Sequence, residues 1–372
     1  MKLIIILFSA LIIFSCSEEK VNFVRKIYYN DTSRFVIESL NIKEKQALFE
    51  FYFDSLYNYQ AFNGNVLIAQ HGIIIYEKCF GMADFKKNEQ LTIHHSFQLA
   101  SVSKQFTAAC ILQLVEKGEI SLGDTIQKFF PDFPYHNITI HLLLCHRSGL
   151  PNYIYFMDDI IPDKTTKISN QTVLDSITKH KPDPYYPPDI TFDYSNTGYI
   201  ILAAIVEQVS GMKYNEYLEK NIFKPLEMSN SYTENSVKHN YKPSTGYKYG
   251  KSEADDNFID GVIGDKGIYS SVYDLYKWDR ALHEHKILSE KMIDLSLQPY
   301  GKNEESDENY GYGWRMYKSE LGFNVYFHGG WWHGFHNMFV RVPEKDWTII
   351  ILKNRKTHQV VSHTEMFEIL MK

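Results

Sequence analysis

A serine three residues ahead of a lysine is the first pattern in this chain that could do chemistry. It occurs four times, at Ser17/Lys20, Ser101/Lys104, Ser176/Lys179 and Ser210/Lys213. A serine hydroxyl is a weak nucleophile and needs a base beside it. A spacing of three puts both side chains on one helical face, within mutual reach. A free lysine is protonated at pH 7, so it serves as that base only when desolvated or set beside another cation. Company must decide which pair is chemical. Ser101 opens FQLASVSKQFTAACILQL, a run that reads as a helix from about Ser101 to Lys117, with Gly118 as its stop. Phe106, Ala108, Ala109, Ile111, Leu112, Leu114 and Val115 cover nearly every face, so this helix belongs at the centre of a domain. Its start carries positive potential and free N–H groups, and the Ser101 amide there would help to hold an oxyanion.

Two other clusters could complete such a site. In TFDYSNTGY, the Tyr194 hydroxyl could relay a proton between Ser101 and a leaving group. Asn196 could hydrogen-bond Lys104 and a substrate carbonyl. Taken alone, Ser195 or Asn196 reads as the cap of the apolar helix that follows. In YFHGGWWHGF, His328-Gly329-Gly330-Trp331 closes a strand-like run. Two glycines let a substrate approach the backbone closely, and an edge strand would offer N–H groups to its carbonyl. Taken alone, this is a glycine bulge or a tight turn.

Together and in this order, Ser-x-x-Lys, Tyr-x-Asn and a basic residue followed by x-Gly resemble the penicillin-recognising serine hydrolases. The Tyr-Ser-Asn form is similar to the branch holding class C β-lactamases, D-alanyl-D-alanine carboxypeptidases and related esterases. The resemblance runs over about residues 45–370. FNGNVLIAQHGIIIYEKCFGMAD looks like the opening hairpin and FQLASVSKQFTA the nucleophile segment. ITIHLLLCHRSGLPNY is similar to the signature LL-T-H-T-S-G-L, with Cys145 and Arg147 where threonines are usual. FDYSNTGYILAAIVEQVSG, NIFKPLEMSNS, GIYSSVYDLYKWDRAL and YGYGWRM also fit.

The resemblance implies Ser101 as the acylated nucleophile and Lys104 as base, alone or with Tyr194. It implies Asn196 as the group orienting lysine and substrate. His328 stands where the third motif has lysine, near the leaving group or a substrate carboxylate. The amides of Ser101 and Trp331, reached past Gly330, would form the oxyanion hole. The implied activity is hydrolysis of an ester, amide or peptide bond through a Ser101 acyl-enzyme, in a small-molecule or peptide-like substrate. A true class C-like β-lactamase or D-alanyl-D-alanine carboxypeptidase is the enzymatic alternative. A catalytically silent binding protein on the same fold is the non-enzymatic one. No metal or organic cofactor is implied. Gly329 stands where many β-lactamases carry a hydroxyl, and His328 is mostly neutral at pH 7. Both weaken an anchor for an anionic substrate, while Trp331 and Trp332 suggest a bulky, apolar rim. Gly264-Asp265-Lys266-Gly267 occupies a stretch where the family usually has small residues; Asp265 and Lys266 could approach the cleft, and a solvated turn is the favoured reading.

These residues need elements to hold them. NGNVLIAQ and IIIYEKCFG are strands joined at His71-Gly72, and FNVYFHGG, FHNMFVRV and WTIIILKN are three more, the last two joined by Pro343-Glu344-Lys345. Short turns within each group argue for antiparallel pairing. The resulting α+β fold is of the β-lactamase/transpeptidase-like kind, a five-stranded antiparallel sheet flanked by helices. The sheet part takes residues 43–119 and 251–372, with a helical domain, 120–250, inserted between. A cleft between the two parts is the expected site. Helices are expected at KEKQALFEFYFDSLYN, in the middle segments ITIHLLLCH, TVLDSITKH and YILAAIVEQVSG, and at the closing HTEMFEILMK.

The N-terminus reads differently. Lys2, the apolar run LIIILFSALIIF and then Ser15-Cys16 make residues 1–15 a signal peptide, and Ile13-Phe14-Ser15-Cys16 resembles a bacterial lipobox. Cys16 would be lipidated, residues 16–42 would tether the enzyme, and the protein would be a membrane-anchored envelope lipoprotein. A formal net charge of −6 and a pI near 6.2 give no reason to expect nucleic acid. His94-His95, His283-Glu284-His285 and His333/His336 form no metal motif and read as scattered surface histidines. Of the other cysteines, Cys79, Cys110 and Cys145, none makes a C-x-x-C pair, and Cys110 reads as a small core residue.

Overall fold

The computed structural model describes residues 40–236, 241–301, 309–358 and 361–372. The expected signal peptide, Cys16 and most of the tether lie outside the described residues. The first helix, α1, is Ile42–Gln60, and Ala61 ends it in the left-handed region. The hairpin β1 (Gly64–Gln70) and β2 (Ile73–Phe80) follows. The central helix α2 is Lys104–Glu116. Among the middle helices, α3 is Asn196–Ser210, and α4, Val272–His283, lies beyond them. The chain returns to the sheet with β3 (Asn309–Tyr310), β4 (Arg315–Lys318), β5 (Asn324–Trp332), β6 (Phe335–Val342) and β7 (Trp347–Lys353), and closes with α5, His363–Met371.

The main sheet has seven strands in the order β2-β1-β7-β6-β5-β4-β3, every neighbouring pair antiparallel. The five expected strands are its centre and one edge. The two extra strands, β3 and β4, lie around YGYGWRM and are too short to show an alternation of their own. β1 and β7, from opposite ends of the chain, pair from Gly64↔Lys353 to Gln70↔Trp347.

Both of these strands are apolar on both faces, because the sheet is covered twice. Val66, Ile68, Ile349 and Ile351 turn to one side, against Phe49 and Phe53 of α1 and Met366 and Phe367 of α5. Leu67, Ile350 and Leu352 turn to the other, into the core that holds α2. Period-two alternation on each strand thus feeds two hydrophobic layers. The second core is continuous from the sheet through α2 into α3, which is buried from Thr197 to Val206. α2 is buried from Lys104 to Leu114, and Phe106 stacks on Trp278 of α4 at 4.6 Å. The expected helix at ITIHLLLCH is only the short Ile140–Leu144. None of Cys79, Cys110 and Cys145 forms a disulfide, and Cys110 is fully buried in the second core.

Candidate active site

The nucleophile segment is hung from a small second sheet. Phe97–Gln98 pairs with Ile268–Ser270, and the Leu99 N–H donates to the Ile268 carbonyl at 2.7 Å. Ala100 then takes a φ of 52°, a left-handed conformation uncommon for a residue with a Cβ. That twist starts a single 3-10 turn, Ala100–Ser103, ahead of α2. The helix expected from Ser101 therefore begins as 3-10, where residues i and i+3 eclipse. Lys104 Nζ lies 3.3 Å from Ser101 Oγ as a result.

The other described serine–lysine pairs are built differently. Ser176 Oγ donates to the Thr172 carbonyl at 2.8 Å, and Ser210 Oγ to the Val206 carbonyl at 2.6 Å. Both hydroxyls are spent on their own helices, and Lys179 and Lys213 are exposed. Ser17 and Lys20 lie outside the described residues.

Lys104 is fully buried. Its Nζ donates to Asn196 Oδ1 at 2.8 Å and to the main-chain carbonyl of Asp265 at 3.0 Å. The rings of Tyr194 and Tyr199 lie 4.9 and 5.5 Å from it. Among the described residues it makes no ion pair. Both polar partners other than Ser101 are pure acceptors. A neutral amine can satisfy them with its two N–H bonds and still direct its lone pair at the serine hydroxyl.

Tyr194 and Asn196 reach this point through the start of α3. Ser195 stands at the N-cap, yet its side chain makes no capping bond. The asparagine turns to Lys104 instead of capping the helix. His146, which sequence reasoning quoted within LLLCHRSGL without giving it a role, is the support for this turn. Its own backbone is left-handed, at φ 57°. Nδ1 accepts the Ser195 N–H at 3.2 Å, and its ring packs on Tyr194 at 4.2 Å and on Tyr310 at 4.6 Å. Burial, the largest cause, holds this imidazole well below its usual pKa, so it is neutral.

β5 brings up the third cluster with alternating faces. His328, Gly330 and Trp332 turn toward the nucleophile side. A methyl group at Gly330 would sit 2.0 Å from the Leu99 carbonyl oxygen and 3.2 Å from the Ser101 nitrogen. This is the contact that requires glycine, and it sets the strand directly on the nucleophile turn. Trp331 points the other way. Its ring is 59% exposed beneath Lys356, whose Nζ is 4.7 Å from the ring centre. The expected rim of two tryptophans is therefore one, Trp332, because neighbouring strand residues face opposite sides. Trp331 can contribute its backbone only.

His328 agrees with the expectation of a mostly neutral residue. Its ring is buried, with Nδ1 2.7 Å from the Gly329 carbonyl and Nε2 2.9 Å from the Tyr310 hydroxyl. Burial, then Lys104 and Arg315, push its pKa well below the usual value. It is a neutral hydrogen-bonded residue behind Tyr194 and supplies no cation for a carboxylate. Arg315 of β4 also stands on that side, its guanidinium 5.3 Å from the centre of the Tyr194 ring.

The beta-lactamase family model matches residues 42–367. The chain belongs to the beta-lactamase family. It is 32% identical over 330 residues to penicillin-binding protein 4* of Bacillus subtilis (strain 168), covering 84% of this chain and 72% of that protein. It is 26% identical over 333 residues to the teichoic acid D-alanine hydrolase of Staphylococcus aureus (strain MRSA252), covering 84% of this chain and 80% of that one. The structure of the octameric penicillin-binding protein homologue from Pyrococcus abyssi superposes with a TM-score of 0.75 at 28% identity, over 87% of this chain and 76% of the other. The chain is a serine hydrolase of this beta-lactamase family.

Of the two readings of Gly264–Gly267, approach to the site is the one the structure supports. Gly264–Gly267 is not a solvated turn. Asp265 and Lys266 are 1% and 3% exposed, and the Asp265 carbonyl is a direct partner of Lys104. Thr107 of α2 donates to the Gly264 carbonyl at 2.6 Å, which pins the segment to the nucleophile helix. A charged pair is affordable there because each group finds partners, which the local sequence cannot reveal. Not all the histidines are at the surface either. His95 is buried, with Nδ1 2.9 Å from the Thr92 N–H, and His333 Nε2 lies 2.7 Å from Asp260 Oδ1. Among the described residues no group of three or more His, Cys, Asp or Glu is arranged to hold a metal ion.

Proposed function

We propose that this hydrolase cleaves an ester, amide or peptide bond through an acyl-enzyme on Ser101. The observation that carries the reading is the partner set of Lys104: two pure acceptors, at 2.8 and 3.0 Å, with Ser101 Oγ at 3.3 Å as the remaining neighbour. Lys104 Nζ takes the Ser101 proton as Oγ attacks the substrate carbonyl. The carbonyl oxygen becomes an oxyanion facing the amides of Ser101 and Trp331. Tyr194, packed beside Lys104, passes the proton to the departing oxygen or nitrogen as its bond to carbon breaks. A water then repeats the sequence on the acyl-enzyme, releases the acid and restores Ser101. Asn196 holds Lys104 in line throughout.

The substrate is an envelope molecule met outside the cytoplasm. The lipobox-like Ile13-Phe14-Ser15-Cys16 and the relatives named as penicillin-binding protein and teichoic acid D-alanine hydrolase support that placement. The proposed anchor is lipid on Cys16, a reading the lipobox-like run supports; no described helix is long and apolar enough to cross a membrane. A small acyl ester or amide fits better than a penicillin. The buried, neutral His328 and the bare Gly329 leave the third motif without a charge or hydroxyl for the drug's carboxylate.

The test is intact mass after mixing with an activated ester and, separately, a penicillin, with Ser101→Ala in parallel. An adduct in wild type and none in the variant is the expected result. Equal labelling of both, or labelling of neither, would sink the acyl-enzyme reading and favour a binding protein. A stable penicillin adduct, or rapid penicillin turnover, would turn the reading to a penicillin-binding protein or a β-lactamase.

A further inference from the structure

The nucleophile-side edge of β5 divides the cleft. His328, Gly330 and Trp332 follow one another at every second residue, about 7 Å apart. Gly330 abuts the Ser101 turn. On the His328 side stand Tyr194, Tyr310 and Arg315. If Tyr194 hands the proton to the leaving group, as proposed above, the leaving group departs on that side. The acyl part must then run the other way, toward Trp332.

At that other end Lys266 is buried between two aromatic rings. Lys266 Nζ lies 5.1 Å from the Trp332 ring and 4.8 Å from the Tyr153 ring, and hydrogen-bonds the Tyr153 hydroxyl. Asp265 Oδ2 accepts from the same hydroxyl at 3.0 Å and is 3.4 Å from Lys266 Nζ. Each partner is tied to a different part of the site. Asp265 gives its carbonyl to Lys104. The Tyr153 N–H donates to Thr197 Oγ1, next to Asn196, at 2.8 Å. Trp332 is two residues beyond Gly330, and its Nε1 donates to Asp260 Oδ1 at 2.9 Å. Segments from the helical side and from the sheet thus converge on one ammonium. Burial pulls its pKa down against the pull of Asp265 and Asp260, which marks the spot as dry.

We infer that Lys266 is a specificity-determining residue: bridging Tyr153 and Trp332, it closes the acyl end of the cleft and restricts the enzyme to short acyl groups. The wall stands about two strand residues from the nucleophile, or roughly 7 Å. That admits an acetyl- or alanyl-sized group and excludes a long chain. The inference rests on the acyl-enzyme reading, and its test separates the two. Rates of Ser101 acylation would be measured with p-nitrophenyl acetate, butyrate and octanoate for wild type, Lys266→Ala, Trp332→Ala and Lys266→Arg. Wild type is expected to favour acetate. Lys266→Ala and Trp332→Ala should each shift the acetate-to-octanoate ratio of kcat/KM by about tenfold or more toward octanoate, the scale on which a pocket discriminates apolar size. Lys266→Arg should keep the wild-type ratio. A general loss of packing would lower all three rates together and leave the ratio alone, and that result overturns the inference. So does a wild type that prefers octanoate. Trp332→Ala carries the test if Lys266→Ala does not fold. A wild type that none of the three esters acylates overturns the acyl-enzyme reading, and this inference falls with it.

Discussion

The sharpest structural demand at the site is made by a missing side chain. Gly330→Ala would place a methyl 2.0 Å from the Leu99 carbonyl oxygen, while Gly329→Ala, one residue earlier, meets nothing nearer than the Asn337 carbonyl oxygen at 3.7 Å. A carbon needs at least about 3.0 Å there, so β5 and the nucleophile turn must separate by about 1 Å. Overpacking of this kind costs about 1–3 kcal/mol of stability. The larger effect is on rate. A misplacement of about 1 Å between Ser101 and its oxyanion donors is worth about a hundredfold. Gly330→Ala should therefore stay folded, melt a few degrees lower and acylate about a hundred times more slowly. Gly329→Ala should remain within about threefold of wild type. Stopped-flow acylation by an activated ester, with melting curves alongside, makes the comparison. If Gly330→Ala acylated as fast as wild type, or if Gly329→Ala lost as much, the close approach of β5 to the Ser101 turn would not control catalysis.

Two further predictions concern the frame. Asp279 of α4 is buried and bonded to Arg341 Nε and Arg280 at 2.5 Å each and to Thr348 Oγ1 at 2.6 Å, which ties the helix to β6 and β7. Asp279→Ala leaves the buried Arg341 guanidinium without its carboxylate and Arg280 with Asp346 alone, and should cost about 3–5 kcal/mol in urea unfolding; a loss under about 1 kcal/mol would show the cluster to be replaceable. His363, at the start of α5, sits 2.9 Å from the Tyr317 hydroxyl, and burial lowers its pKa to about 4 from an ordinary 6.5. The folded pKa lies below the unfolded one, so its contribution is complete above about pH 6.5 and is lost as pH falls toward about 4, a change of about 3 kcal/mol. His363→Phe should show a flatter decline in urea midpoint between pH 7 and pH 4.5, and an unchanged slope would refute this.

Much of the site was legible because its parts are local patterns. Ser101 and Lys104 share one turn, Tyr194 and Asn196 one helix start, and Gly330 one strand end. The central helix announced itself by being apolar all round, and β1 and β7 by unbroken apolar runs. Where reading failed, distance along the chain was the cause. The Asp265 carbonyl that holds Lys104 is 161 residues away, and nothing near it in sequence marks it as a partner. Asp265 and Lys266 looked solvated because charged residues usually are. Only packing against Tyr153 and Trp332 makes their burial affordable. Trp331 and Trp332 looked alike as letters, yet the pleat sends them to opposite faces.

The chain's own order of residues thus determined which groups were on offer: a serine and lysine one turn apart, a tyrosine and asparagine at a helix start, and a glycine-bearing strand end. It also determined the two-faced strands, since alternation of apolar side chains is a local property. Tertiary structure added the physical reason that Ser176 and Ser210 are not poised, since their hydroxyls are spent on their own helices. It alone buried His328 against Tyr310, which pushes its pKa well below the ordinary value. Protonation and reach depend on what surrounds a group in space, and that surrounding is assembled from segments far apart in the chain.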